Sequence, residues 1–475
     1  MPLTAPYDRS RLTPGIVHIG LGNFHRAHQA VYLDDLMQKG MAQDWAILGA
    51  GVREGDARMR SVLLSQDCLS SVIELAPGAH VARTIGAMKG FLAVEAGNAP
   101  LIAAMKDPAI RIVSLTVTEG GYYIDPATAH FDPNHPDIRH DAANPQAPMT
   151  AFGAIVAALA ARRAAGLAPF TVMCCDNLPH NGHVTMDAVT GVARLTDPAL
   201  ADWIASNVAF PNAMVDRITP ATGPRELAMA RALGLDDAAP VTCEPFRQWV
   251  MEDTFPAGRP PLEEAGVTFT SAVDRFETMK IRILNGGHAI IAYPGGLAGI
   301  NLVHEAMADT QIRAFLDAVL TREVLPIVPP VPGVTLTDYK ALIIDRFSNP
   351  EIADTVRRLA LDGSNRQPKF IVPSIRDVLA RGGNPAGLIL LSALWCRYCF
   401  GETEAGATIE PNDPNWDTLR TNARAARERP MAWLEQASIY GALAQDSRFN
   451  EAFDKALRDI WARGSRAVIA DYLRG

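Results

Sequence analysis

The run Lys280-Ile-Arg-Ile-Leu-Asn-Gly-Gly-His288 sets a lysine, an amide and an imidazole inside a segment that is otherwise almost wholly apolar. On a helix advancing about 100° and 1.5 Å per residue, Glu277, Lys280, Asn285 and His288 fall within roughly 140° of one side, so all four can line one cavity wall. An unpaired polar group among Ile and Leu costs about 1–3 kcal/mol, and a charge costs more. A lysine held there has its pKa pushed down and becomes a usable base near neutrality. The same residues also fit a plainer arrangement, in which the lysine snorkels to water and Asn285-Gly286-Gly287 ends the helix in a turn.

The elements needed to position such groups begin near the N-terminus. An apolar strand at 15–19 runs into Gly20-Leu-Gly22, then a helix over about 23–38, then a second apolar strand at 45–52. Strand, glycine turn, helix, strand is the opening of a dinucleotide-binding βαβ unit. Gly20 permits the turn, and Gly22 lets the backbone approach a pyrophosphate whose charge sits at a helix start. His25 stands where a third glycine would be. Past the second strand, Glu54 and Asp56 are candidates for the ribose hydroxyls, with Asp56 preferred and Arg53 leaving room for a 2′-phosphate.

Two further near-continuous apolar runs, 111–118 and 170–175, read as strands buried on both faces of a parallel sheet. Each ends in polar residues, Glu119 after the first and Asp176-Asn177 after the second. The carboxyl ends of strands form the ligand crevice of open α/β sheets, which places Glu119 and Asn177 at a site. Proline and glycine cluster at 255–261, and beyond about 275 the pattern is mostly helical, for example 422–428 and 451–472. The expected architecture is α/β, with a Rossmann-type NAD-binding domain over 1–275 and a mostly helical substrate and catalytic domain over 276–475. The Lys280 helix then falls at the seam of the two, where substrates usually bind.

Composition narrows the function classes. The chain has 475 residues, 48% hydrophobic and 20% charged, with net charge −8 and no basic block. Nucleic acid and anionic membrane are therefore poor partners. Neither a signal sequence nor an 18-residue apolar window is evident, and six scattered cysteines suit a reducing cytoplasm. Cys396-Arg-Tyr-Cys399 has redox spacing but lies late in an apolar helical run, and Cys174-Cys175 point to opposite faces of a strand, so both pairs read as structural. His25 and His28 lack a third metal-ligating partner, and no other Cys/His set has convincing zinc spacing, so no metal is expected.

Several motifs in register carry a family resemblance. Gly20-Leu-Gly-Asn-Phe-His-Arg-Ala-His-Gln-Ala30, Ser114-Leu-Thr-Val-Thr-Glu-Gly-Gly-Tyr122, Cys175-Asp-Asn177, Met214-Val-Asp-Arg-Ile-Thr-Pro220, Cys243-Glu-Pro-Phe-Arg-Gln-Trp249, Lys280 to His288, Arg346-Phe-Ser-Asn-Pro350 and Asp362-Gly-Ser364 resemble the polyol-specific long-chain dehydrogenases, the mannitol dehydrogenase family. The likeness spans nearly the whole chain.

The resemblance implies NAD-dependent, metal-free interconversion of a polyol and its 2-ketose, D-mannitol and D-fructose first. Hexuronate reduction (fructuronate or tagaturonate) and oxidation of D-arabinitol or D-sorbitol are the alternatives. It makes Lys280 the general base and Asn177 and Asn285 the donors to the alkoxide. His288 binds substrate, and Glu277 relays the proton to water. Gly20, Gly22, Asn23, Phe24, Asp56 and Glu119 fall to the cofactor, and Asp216 and Arg358 to the substrate. Arg346, Arg358 and Arg366 could meet a uronate carboxylate. Oligomeric state is not readable from the residues, and the resemblance leans towards a monomer. A nucleotide-binding sensor without turnover would be marked by loss of the base or the amides, which this chain keeps. The chemistry agrees independently: hydride leaves a carbinol only if the O–H proton also leaves and fixed donors hold the growing charge.

Overall fold

A computed structural model describes residues 3–125, 128 and 130–475, apart from the side chain of Glu119. The chain forms two compact units, Met1–Asp274 and Arg275–Gly475. In chain order the strands of the first unit are β1 (Pro14–Ile19), β2 (Ala46–Ala50), β3 (Ser70–Ala76), β4 (Ala79–Ile85), β5 (Met88–Phe91), β6 (Ile112–Leu115), β7 (Thr171–Cys174), β8 (Ala213–Asp216), β9 (Val241–Cys243), β10 (Gln248–Met251) and β11 (Thr268–Phe269).

Five of them make a parallel sheet in the order β5-β2-β1-β6-β7, with Val17 level with Leu48 on one side and Val113 on the other. Side-chain alternation divides its core in two. Ile16, Ile47, Ile112 and Met173 pack on one face with Val31 and Leu36 of the helix Gln29–Gln38. Val17, Val113, Val172 and Cys174 pack on the other with Ile155 and Leu159 of the helix Ala151–Ala164. The remaining strands form two small sheets, β4-β3-β9 and β11-β10-β8.

The helix expected over 23–38 is broken. It runs as Asn23–Ala27 and Gln29–Gln38, parted at His28, whose backbone leaves helical geometry (φ −119°, ψ −90°). The His28 ring is buried, stacks on Phe24 at 4.8 Å, and its Nε2 bonds the carbonyl of Gln248 at 2.9 Å, so β10 holds the break in place. The expected 451–472 helix is likewise two, Ser447–Arg463 and Ser465–Arg474, divided at Gly464 (φ 83°). The Glu404 carboxylate accepts from both the backbone N–H (2.6 Å) and the hydroxyl (2.9 Å) of Ser465, which starts the second helix.

The second unit is built around the helix Ala386–Cys399, buried from Gly387 to its end. Glu323 accepts from the N–H groups of Gly387 (2.7 Å) and Leu388 (2.9 Å), answering donors that its first turn leaves open. Cys396 and Cys399 lie in this core, where burial pushes both thiols up. All six cysteines are free and buried. Among the described residues no helix is long and apolar enough to cross a membrane.

Gly20 closes the turn after β1 with φ +92°, and a Cβ there would stand 2.2 Å from the Thr116 carbonyl oxygen. Gly20→Ala should therefore lower unfolding free energy by about 2–4 kcal/mol, from αL strain plus a backbone clash, as read by urea denaturation.

Candidate active site

Because β1, β2, β6 and β7 are parallel, the segments that follow them emerge along one edge of the sheet. Asp176 ties this edge together. One oxygen of its carboxylate accepts from Val117 N–H (2.9 Å) and the Tyr122 hydroxyl (2.7 Å), and the other from Thr118 N–H (3.0 Å). These bonds hold the loop after β6 to the end of β7, with Thr118 in a left-handed conformation (φ 67°) that the clasp must sustain. The exposed Asn177 follows directly. Glu119 begins a short turn, Glu119–Tyr122, and its side chain lies outside the described residues.

At the glycine turn, among the described residues no atom beyond Gly22 and its two chain neighbours comes within 4 Å of where a Gly22 Cβ would sit, so that position opens onto free space suited to a phosphate. Asn23 follows, but its side chain is engaged: Nδ2 donates to Pro220 O (3.2 Å) and Thr222 Oγ1 (2.9 Å), and Oδ1 accepts from Arg26 (2.8 Å). A cofactor contact from Asn23 would thus come from its backbone. Asp56 heads the helix Asp56–Ser65 and folds back against the end of β2, where its Oδ2 accepts from Arg53 N–H at 3.0 Å. A Cβ on Gly51 would meet the Asp56 side chain at 2.3 Å, so glycine is what admits the carboxylate there. Asp56 is half-buried whereas Glu54 is exposed.

His25, at the third-glycine position, is buried beneath the turn and stacks on His18 with centroids 3.5 Å apart. His18 bonds Ser114 Oγ (2.8 Å) and Thr116 Oγ1 (2.9 Å). Burial pushes His18 and His28 down to about 3 and His25 well below the ordinary value, so all three stay neutral. Among the described residues no three His, Cys, Asp or Glu side chains are grouped to hold a metal. Asp216 is buried at the end of β8, paired in register with Gln248. Its neighbour Arg217, buried and not singled out from sequence, donates to Ala27 O (2.6 Å), Glu244 O (3.0 Å) and Glu74 Oε1 (2.6 Å).

The helix that carries Lys280 does not stop at Asn285-Gly286-Gly287. Val273–Met279, a π-helical turn Lys280–Asn285, and Gly286–Leu297 run on without a break. Gly286 N–H reaches Ile281 O, five residues back. An α-helix would put Lys280 and Asn285 about 140° apart, whereas a turn closed by i→i+5 bonds brings residue i+5 nearly over residue i. A turn of this width sets positions 280 and 285 closer to one helix side than the 140° of a regular helix. Lys280 is 6% exposed and Glu277 7%, so neither reaches water as a snorkelling side chain would.

Asn285 and His288 are half-buried. His288 stacks on Phe347 with centroids 4.5 Å apart, and a Cβ on Gly287 would lie 3.2 Å from that ring, so the glycine lets Phe347 approach. Burial first, then the positive charges of Arg358, Arg346, Arg366 and Lys280, hold the His288 imidazole well below its ordinary pKa. It is a neutral donor or acceptor. Arg358 is exposed and pairs its fork with the Asp354 carboxylate. Arg282, which sequence reasoning passed over, clamps the π-turn to a neighbouring helix through Ser374 Oγ (2.7 Å) and Asp377 Oδ2 (2.8 Å).

Known proteins match this arrangement over its length. The mannitol dehydrogenase Rossmann domain matches residues 14–264 and the mannitol dehydrogenase C-terminal domain residues 272–461. The chain belongs to the mannitol dehydrogenase family. Within it, mannitol 2-dehydrogenase of Cereibacter sphaeroides is 65% identical over 98% of this chain and 98% of its own. The mannitol 2-dehydrogenase of Pyricularia oryzae is 42% identical over 98% of this chain and 94% of its own. Among solved structures, Pseudomonas fluorescens mannitol 2-dehydrogenase, a ternary complex with NAD and D-mannitol, superposes with a TM-score of 0.88 at 42% identity, covering 99% of this chain and 96% of that one. A D-sorbitol dehydrogenase in substrate-free form gives 0.89 at 37% identity, covering 98% and 97%.

The neutral histidines of this mannitol dehydrogenase fold make stability depend on pH. His18, His25 and His28 have depressed folded pKa values, so the unfolded chain takes up their protons first as pH falls below about 6.5. Their contribution is intact above that pH. It is lost towards about 3, the folded value of His18 and His28. Each should cost about 1.4 kcal/mol per pH unit in that window. Urea unfolding at pH 7, 6 and 5 should show stability falling on acidification, with a slope that steepens below about pH 6.5 towards four protons because His288 is depressed as well, beyond the carboxylate contribution; a flat profile would mean that these rings are charged in the fold.

Proposed function

We propose that the chain catalyses the NAD-dependent oxidation of D-mannitol to D-fructose and the reverse reduction. The observation that carries this is the buried Lys280 on a wide helical turn shared with Asn285, about two turns before a neutral His288, in a chain whose relatives carry the mannitol 2-dehydrogenase name. When bound, NAD supplies the acceptor for the hydride. In this reading the Lys280 amine, once it has given up its own proton, takes the proton from the carbinol O–H, and Glu277, buried one turn earlier, passes it towards water. The carboxamides of Asn285 and Asn177 donate to the oxygen as its charge grows, without adding a competing base. His288, stacked on Phe347, orients a substrate hydroxyl, with Asp216 and Arg358 as further substrate contacts. The Gly20–Gly22 turn, the Asn23 and Phe24 backbone, Asp56 and Glu119 form the cofactor side. The residues present fit the dinucleotide because the turn leaves open the space a Gly22 Cβ would fill. We further propose that the protein works as a cytoplasmic monomer.

The arginines whose charge reaches His288 favour a second reading, reduction of a hexuronate through its carboxylate. NADH absorbance separates the two. NAD with D-mannitol, and NADH with D-fructose, should turn over, with D-sorbitol and D-arabinitol slower. Turnover on D-fructuronate alone would assign the arginines to a carboxylate instead, and silence on all substrates would favour a sensor.

Two substitutions test the roles. Lys280→Ala should reduce turnover by about a thousandfold or more, because a general base contributes about 10²–10⁴. NAD affinity should stay within about twofold, as read by fluorescence quenching; unchanged turnover would move the base elsewhere. Asp56→Ala should lower the ratio of kcat/KM for NAD over NADP by about tenfold, the loss of one charge-assisted hydrogen bond. An unchanged ratio would redirect ribose recognition to Glu54.

A further inference from the structure

Arg26 is among the most deeply buried charged groups of the first unit, at 1% exposure. Its guanidinium donates to Ser70 Oγ (2.9 Å), Asn23 Oδ1 (2.8 Å), Gly22 O (3.4 Å) and Ala239 O. All four acceptors are neutral. Asp237, whose charge reaches Arg26, already accepts from Gln66 Nε2 (2.8 Å), Ala239 N–H (2.7 Å), Ser71 N–H (2.5 Å) and Ser71 Oγ (2.6 Å). Burial pushes Arg26 down to about 10, against the pull of Asp237, so it remains a cation at neutral pH.

A buried charge with no carboxylate bonded to it is costly, and folds normally answer it with a directly paired acid. Here the guanidinium is packed against the back of the glycine turn, bonded to Gly22 and Asn23, while the front of that turn opens onto free space at the missing Gly22 Cβ.

We propose that Arg26 is the buried counter-charge for the cofactor's diphosphate: a positioning residue that acts through the turn, its field attracting the anion and its bonds holding Gly22 and Asn23 in place. This rests on the reading of Gly20–Gly22 as the diphosphate cradle. The ligand class recognised is a nucleoside diphosphate, free or within a dinucleotide. Arg26 touches neither substrate nor the reacting atoms, so it governs binding and leaves the chemical step alone.

Charge can be separated from bracing. Ser70→Asp would set a carboxylate in place of the Ser70 hydroxyl against the Arg26 guanidinium, leaving its bonds to Gly22, Asn23 and Ala239 while cancelling its charge. Arg26→Gln would remove the charge directly. Calorimetric titration of the full-length protein with ADP and with adenosine is the test. Wild type should bind ADP more tightly than adenosine. Both variants should weaken ADP by about tenfold while adenosine changes less than about twofold, and kcat at saturating NAD should hold.

Ser70→Asp folded, by circular dichroism and thermal melt, yet binding ADP as wild type does would reduce Arg26 to a brace and overturn the proposal. Equal loss for ADP and adenosine would also overturn it, since turn shape and not charge would then be at stake. If Arg26→Gln does not fold, the Ser70→Asp comparison decides alone, because it keeps Arg26 and its bonds to Gly22, Asn23 and Ala239. A wild-type protein that binds neither ADP nor NAD would instead defeat the cofactor reading beneath it.

Discussion

Burying a lysine inside an apolar helix is the constraint on which the helical unit's site turns, since a charge there must be answered or given up. Lys280 sits on a π-turn, and a widened turn is the less favourable form of helix. Arg282 helps hold it by spanning to Ser374 and Asp377 on the helix Val372–Ala380. Gly287 gives up its side chain so that Phe347 can flank His288. Burial, and after it the cations near His288, keep that ring uncharged, which preserves it as a hydrogen-bonding group with a spare lone pair. Each feature is local and modest. Together they maintain a basic group and its polar neighbours in surroundings that would otherwise expel them.

The nucleotide-binding unit works under a related constraint, the close approach of two strand ends. Gly20 lies against the Thr116 carbonyl, Thr116 Oγ1 donates back to Gly20 O at 2.6 Å, and Asp176 clasps the next two residues after Thr116. The loops at the carboxyl edge are therefore bonded to one another before any ligand arrives. Such an edge gives up little loop entropy on binding, which favours affinity at a given contact area.

Much of this was legible in sequence, for identifiable reasons. Strands buried on both faces are written as unbroken apolar runs, so 15–19, 45–52, 111–118 and 170–175 could be read, and β1, β2, β6 and β7 lie in them as neighbours in one sheet. Strand β4, with exposed residues along most of its length, carries no such run. The break at His28 was hidden because apolar spacing continues across it and its cause is a bond to Gln248, 220 residues away. A π-turn cannot be told from an α-turn by composition, since the same side chains satisfy either spacing. Lys280 stood out because a charge in an apolar run is rare. Arg26 did not, although it is more deeply buried, because arginines in a polar motif look like surface residues until their partners are seen.

The six free cysteines have a consequence for how the molecule can be watched. Every thiol is buried, and burial pushes Cys68 up to about 11 and Cys174 and Cys243 up to about 12, so in the native state almost no thiolate is presented to an electrophile. Alkylation must therefore wait for an opening of the structure, and its rate reports how often that opening happens. Cys68, Cys174, Cys175 and Cys243 report on one unit, and Cys396 and Cys399 on the other. The chain thus carries its own set of chemical clocks, one for each half, without any label having to be engineered into it.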